Sequence, residues 1–203
     1  MNMQSPTVVE TPLLAAKERI LHTAHALFYR DGIRATGIDL IIKQAGVTKV
    51  TFYRHYPSKD ALILAFLHYR HQHWMVWFRQ ALGRYSTALP LPAALASTLQ
   101  EWFTGDDFRG CAFINSSLEY AVALPEVQRL SVSHKREMAA VVAGYLAESE
   151  NISEQAECVA LLIDGAIVKA QMENQAQPAV RFIQNMLEIL ISQWSAKAEA
   201  VNK

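Results

Sequence analysis

Cysteine is scarce in this chain: Cys111 and Cys158 are the two in 203 residues. Neither has a CxxC neighbour, and the N-terminus carries no charged-then-apolar leader. A disulfide framework is therefore excluded, and the expectation is a reducing, cytoplasmic setting in which both thiols are small buried apolar groups. No run reaches the roughly 18 uncharged apolar residues that a membrane span requires. An excess of either charge is also missing, since Lys plus Arg and Asp plus Glu stand at 19 each. The total says nothing of partners. The distribution does: residues 1–60 hold eight Lys/Arg against five acids, a formal +3 that leaves −3 for the rest. Such an excess matters only if a motif gathers it on one face.

Catalytic signatures are lacking too. There is no GxSxG, no glycine-rich phosphate loop and no HExxH, so no enzyme is expected. His68, His71 and His73 lie close in sequence, but His68 and His71 alone share a helical face, and no Cys or acid completes a ligand set. No metal and no cofactor are implied. Nowhere do β-branched residues alternate with polar ones over a strand length, and no internal repeat or low-complexity tract occurs.

What the chain does contain is 51% hydrophobic residues with 19% charged ones, enough apolar side chains to fold and to pack extensively. Ala, Leu, Glu and Gln dominate, so the fold class is all-α, with about nine helices. Residues 1–13, with Pro6 and Pro12, show no period and read as a flexible leader. From about Leu14 to Arg30, Ile20, Ala24, Leu27 and Phe28 form one helical stripe that Asp31-Gly32 ends. Ile38, Ile41, Ile42 and Ala45 form a second, two-turn stripe, and Gly46 stands where a left-handed cap belongs. Thr48 is positioned as the N-cap of a third short helix to about His55, with Val47 and Phe52 inward and Lys49, Val50 and Tyr53 outward. Ser58 caps a long fourth helix reaching about Leu82, before the break at Pro90 and Pro92. Further helices are predicted at about 92–104, 110–122, 125–148, 153–174 and 178–197.

Two short helices joined by a tight glycine turn match the helix-turn-helix, whose second helix lies in the major groove. The outward side chains suit that task. Lys49 can donate to guanine or phosphate, Val50 and the Thr51 methyl can meet a thymine methyl, and Thr48, Tyr53 and His55 can donate to phosphate oxygens. Lys59 opens the next helix, where its ammonium and the free backbone N–H groups favour a phosphate. The alternative is a hairpin that merely supports the rest, but a buried hairpin has no use for Lys49, Tyr53, His55 and Lys59 together on its outer side.

Ala45-Gly46-Val47-Thr48-Lys49-Val50-Thr51-Phe52-Tyr53 and then Tyr56-Pro57-Ser58-Lys59 closely resemble the TetR family of bacterial regulators. The likeness extends back through Ile20, Ala24, Phe28, Gly32 and Thr36 and covers roughly the first third of the chain. Thr36 joins the candidate DNA contacts on this ground. Four positions depart from the family's usual pattern: Gly37, Leu40, Ile42 and Val50. Gly37 removes a possible capping hydroxyl and phosphate contact, and Val50 adds apolar surface in the groove, so a shifted operator preference is expected.

For the remaining two thirds the resemblance implies a ligand-binding and dimerisation domain whose last two helices pair across a two-fold axis. Domains at 14–60 and 61–203 follow. The 153–174 and 178–197 segments carry apolar stripes broader than one core contact needs, and Ile163, Ile167, Met186, Leu190 and Trp194 are expected to dimerise; internal packing in a monomer is the alternative. Trp74, Phe78, Trp102, Phe113 and Met138, on helices that surround the pocket in relatives, are the candidate ligand contacts. Asn115 can supply a pocket hydrogen bond or simply cap a helix. The implied protein is a cytoplasmic homodimeric repressor, released from a palindromic operator in double-stranded DNA by a small apolar or aromatic effector. A helical small-molecule carrier or protein-interaction module without DNA binding, supported by the balanced charge, is the rival.

Overall fold

In the computed structural model the described residues are 15–201, with side chains described to 197. The expected leader at 1–13 lies outside them. The described residues form nine helices and no strand: α1 Ala16–Asp31, α2 Ile38–Ala45, α3 Lys49–His55, α4 Lys59–Ser86, α5 Leu91–Phe103, α6 Ala112–Tyr120, α7 Pro125–Ala143, α8 Ile152–Glu173 and α9 Ala176–Val201. The all-α expectation holds.

Three boundaries move for identifiable reasons. Helix α6 begins at Ala112 and not at 110, because Gly110 has φ +80°, outside helical space. Helix α7 stops at Ala143 instead of about 148. There Gly144, Tyr145 and Leu146 each donate to a carbonyl three residues back, a tightened terminal turn whose apolar Tyr145 and Leu146 mimic a continuing stripe. Helix α4 continues to Ser86, four residues past the expected end.

The chain divides into two compact units. The first holds residues up to Trp74 together with Cys111–Ser133, and the second holds Met75–Gly110 and the residues from His134 onward. Long α4 and α7 thus contribute residues to both.

In the first unit the predicted stripe of α1 is the core: Ile20, Ala24, Leu27 and Phe28 are buried, as are Ile41 and Ala45 of α2, Phe52 of α3 and Phe66 of α4. Phe28 and Phe66 meet edge to face with centroids 5.5 Å apart, the arrangement aromatic quadrupoles prefer. In α6 and α7, Ser117 donates to the Ser131 hydroxyl at 2.9 Å, and Ser131 lies 2.8 Å from the Val127 carbonyl.

In the second unit α9 packs against both α5 and α8. Pro92 sits in the first turn of α5, where its missing N–H costs nothing. The Glu101 carboxylate gathers three donors, Trp77 Nε1 at 3.1 Å, Tyr85 OH at 3.0 Å and Arg84 Nη2 at 2.5 Å, which fasten α4 to α5. Although burial alone opposes it, these donors hold the Glu101 carboxyl below the usual carboxylate range. Cys111 is buried as expected, but Cys158 is exposed, because it lies on the outer face of α8, beside buried Val159 and Ala160.

Candidate nucleic-acid interface

The turn between α2 and α3 is built from backbone chemistry. Gly46 adopts φ +61°, ψ +44°, the left-handed conformation a side chain disfavours, and its N–H caps α2 on the carbonyls of Ile42 and Lys43. Val47 N–H then reaches Ile42 O at 3.3 Å. From α1, Arg19 Nε donates to Ala45 O at 3.1 Å and Nη2 to Gly46 O at 3.4 Å, satisfying carbonyls that the end of α2 leaves open. Thr48 is the N-cap of α3: its hydroxyl oxygen accepts from Thr51 N–H at 3.1 Å and lies 2.9 Å from the Thr51 hydroxyl.

Helix α3 has a single buried side chain, Phe52, which packs edge-on against Tyr53 with centroids 5.2 Å apart. Everything else on the helix turns toward solvent. Lys49, Tyr53 and Arg54 are exposed, Val50 is 78% exposed, and Thr51 and His55 are half-buried. Residues 49, 50, 53 and 54 therefore share one outward face. Arg54 was missing from the expected set, although it stands one turn after Val50 on that face. Lys49 Nζ lies 3.9 Å from Asp39 of α2, both largely exposed, a pairing too solvated to hold the lysine.

Two expected contacts sit differently. Thr36 is only 1% exposed, and its hydroxyl donates to Gly32 O at 2.8 Å, closing the α1–α2 turn. It offers no surface to a duplex, so Thr36 is corrected from a DNA contact to a buried residue of the turn; Gly37 is the N-cap of α2. Lys59 is half-buried, and its Nζ donates to Ile33 O at 2.6 Å. Burial pulls its pKa down, with the nearby Glu119 and Asp60 charges opposing.

The same α1–α2 turn is clamped by α6. Glu119 Oε2 accepts from Arg34 N–H at 3.0 Å, and Arg34 Nε donates back to Glu119 O at 2.8 Å. Gly32 at φ +90° leaves the room this requires, since a Cβ there would lie 3.1 Å from Glu119 Oε1. Glu119 thereby ties α6 to the base of the helix-turn-helix.

Among the residues expected to dimerise, Ile163 and Ile167 are buried by the chain's own helices and are corrected to core positions. Met186 is exposed, and Leu190 and Trp194 are half-buried. The exposed stripe of α8 is instead Leu161, Gly165, Val168 and Met172, and that of α9 is Phe182, Met186 and Ile189. The spacings of three and four place each set on one face. The Lys169 ammonium lies 5.4 Å from the Phe182 ring centre, so the two stripes are neighbours. A groove of about 520 Å³ runs along α8 past Asp164, Gly165, Val168 and Met172.

The five expected ligand contacts are all buried. Trp74 and Phe113 belong to the first unit, and Phe78, Trp102 and Met138 belong to the second. Trp102 sits in an aromatic cluster with Trp77, Phe103 and Phe108 at centroid distances of 6.0, 5.7 and 5.4 Å. Asn115, on α6, is half-buried.

Comparison with known proteins agrees with this geometry. Residues 20–66 match the model of the bacterial regulatory proteins, tetR family. A 53-residue segment is 43% identical to YerO of Bacillus subtilis, an uncharacterized HTH-type transcriptional regulator; it spans 26% of this chain and 18% of YerO. YxaF of the same organism, also an uncharacterized HTH-type transcriptional regulator, is 22% identical over 181 residues, covering 87% of this chain and 95% of that protein. Among solved structures, a TetR-family transcriptional regulator from Streptomyces coelicolor superposes with a TM-score of 0.73 at 27% identity, covering 88% of this chain and 95% of that one. Reduced NemR from E. coli superposes at 0.72 with 19% identity, covering 85% and 96%.

Proposed function

We propose that this chain is a TetR-type regulator, a homodimeric repressor released from a palindromic operator by a small effector; residues 20–66 match the model of that family, and the fold is shared with a TetR-family regulator over 88% of the chain. The observation that carries the DNA-binding part is the outward face of α3. Lys49, Val50, Tyr53 and Arg54 stand exposed on a helix anchored by one buried ring, Phe52. A seven-residue helix with one core contact contributes little packing, and its exposed side combines cations, a hydroxyl and an apolar tip, the set that phosphates and base edges select. Thr48, Thr51, His55 and Lys59 complete the proposed contact set; Lys59 needs only to exchange one carbonyl for a phosphate.

Dimerisation follows from the apolar stripes on α8 and α9. Two copies pairing through them cover Leu161, Met172, Phe182 and Met186, with Leu190 and Trp194 at the edge, and hold two recognition helices roughly 34 Å apart for successive major grooves. Function divides near residue 60, with DNA binding before it and effector binding and pairing after it. An apolar or aromatic effector reaching Phe78, Trp102 or Met138, or Trp74 or Phe113, displaces packed side chains, because all five are buried. Binding therefore selects a rearranged population in which operator spacing is lost. No helix among the described residues is long and apolar enough to cross a membrane, which is compatible with the cytoplasmic site of action proposed here.

The test is a mobility-shift titration of the purified protein on the DNA flanking its own gene, against random-sequence competitor. A specific shift that Lys49→Ala weakens is expected. Equal affinity for promoter and competitor defeats the proposal.

A further inference from the structure

A cluster on the first unit, away from the recognition helix, has a charge that no acidic group among the described residues balances. Arg70 of α4 is 4% exposed, and its guanidinium carbon lies 3.9 Å from the centre of the Tyr29 ring of α1. Its Nη2 is buried with no hydrogen-bond partner, and no carboxylate among the described residues pairs with it. The neighbours are rings or further cationic groups. His25, also buried, meets Tyr69 at 5.1 Å, Phe66 at 5.7 Å and Tyr29 at 6.3 Å between centroids. His22 and His73 flank Tyr69 at 5.3 and 3.9 Å. Burial, then the charge of Arg70, then those of His73 and His22 push the His25 pKa down to about 3, so this histidine is neutral and answers none of the charge.

Desolvating a buried guanidinium is unfavourable unless an anion and hydrogen bonds offset it, and stacking on one tyrosine offsets only part. The economical partner, an anion, is not supplied by the described residues, and a bound ligand would provide it. We propose that Arg70, roofed by Tyr29 and flanked by His25, binds a small organic carboxylate between α1 and α4. Planar guanidinium matches planar carboxylate through two parallel hydrogen bonds, whereas a phosphate dianion loses far more hydration on entering a ring-lined site. Half-buried His22 and Tyr69 and exposed His73 mark the entrance. The carboxylate is the charged end of an effector, an assignment that rests on the regulator reading only for its consequence, since occupancy of Arg70 needs no DNA.

The experiment uses the full chain without DNA. Benzoate and acetate are titrated by calorimetry and thermal melting, beside benzamide as the uncharged isostere of benzoate and inorganic phosphate as the dianion. Saturable stabilisation by the carboxylates is expected, with benzamide inert and phosphate weaker. Arg70→Met should lower carboxylate affinity about ten- to a hundredfold, the worth of a charge-assisted hydrogen bond, and Arg70→Lys should lie between. In the wild-type protein, benzoate should also raise the His25 imidazole pKa in NMR titrations, a readout that stands even if Arg70→Met fails to fold. No response to either carboxylate, equal response to benzamide, preference for phosphate, or an unmoved His25 would each overturn the assignment. Failure of operator binding leaves these readouts unaffected and sinks only the regulator reading.

Discussion

Acid should weaken this fold through one buried imidazole, and the size of the effect can be worked out. His25 has a folded pKa of about 3 against 6.5 for an ordinary histidine. The unfolded chain therefore binds the proton that the folded chain refuses throughout the window between those values. Because the folded pKa is depressed, the stabilisation is complete above pH 6.5 and is withdrawn as the pH falls, at about 1.36 kcal/mol per unit. At pH 5 the loss is about 2 kcal/mol, which for a chain of this size lowers the melting midpoint by roughly 4–8 °C. Carboxyls with depressed pKa values, such as Asp31 and Glu101, also lose stabilisation in acid, so the contribution of His25 has to be isolated by difference. The comparison is wild type against His25→Phe, a ring that suits the Tyr29, Phe66 and Tyr69 surroundings. Melting or urea unfolding is followed from pH 7.5 to 5 at fixed protein concentration, as the proposed dimer requires. The stability difference should shift by about 2 kcal/mol in favour of the variant on acidification. Parallel pH profiles for the two proteins would refute the reasoning.

Other perturbations separate the roles assigned above. Glu119→Gln removes the charged acceptor from Arg34 N–H and should weaken operator binding about fivefold, near 1 kcal/mol, with the melting temperature nearly unchanged; unchanged DNA affinity would free α6 from any part in positioning the motif. Met186→Glu should dissociate the dimer in sedimentation velocity, whereas Ile163→Val should cost about 1 kcal/mol of stability and leave the dimer intact; the reverse pattern would move the interface to the buried side of α8. Asp39→Asn should raise DNA affinity several-fold at low salt by removing a negative charge near phosphate, and the gain should vanish at high salt; a salt-independent gain would mean that Asp39 acts through something other than charge.

The helix-turn-helix was legible because its parts are local. Gly46 is required by a left-handed turn, Thr48 by an N-cap, and Phe52 is the one apolar residue that α3 buries. Thr36 stood among the DNA contacts through the family resemblance alone, and burial, which a resemblance of motif does not report, turns its hydroxyl back to Gly32 O. The apolar stripes of α8 and α9 were legible as stripes, but periodicity does not say which half the chain itself covers. Ile163 and Leu161 are equally apolar, yet one is sealed and the other 73% exposed. Burial of Trp74, Phe78, Trp102, Phe113 and Met138 likewise follows from their apolar character, whereas their division between two units is set by long-range packing that no local pattern reports. The Arg70 cluster left no trace in the sequence, because Tyr29 and Arg70 are brought together only by the packing of α1 on α4.

Overall neutrality, the one feature that favoured a protein without DNA, loses its force once charges are located. From Ile38 to Lys59 there are four cations, Lys43, Lys49, Arg54 and Lys59, and a single acid, Asp39. Screening at physiological salt confines each surface charge to roughly 8 Å, so phosphates beside α3 respond to these five groups and not to acids elsewhere in the chain. In the proposed dimer this local excess is doubled along the duplex while the assembly stays neutral. Long-range attraction to bulk nucleic acid is then weak, and affinity depends on both recognition helices being seated together. That is the regime in which the proposed effector, through a small change in their spacing, would switch binding off.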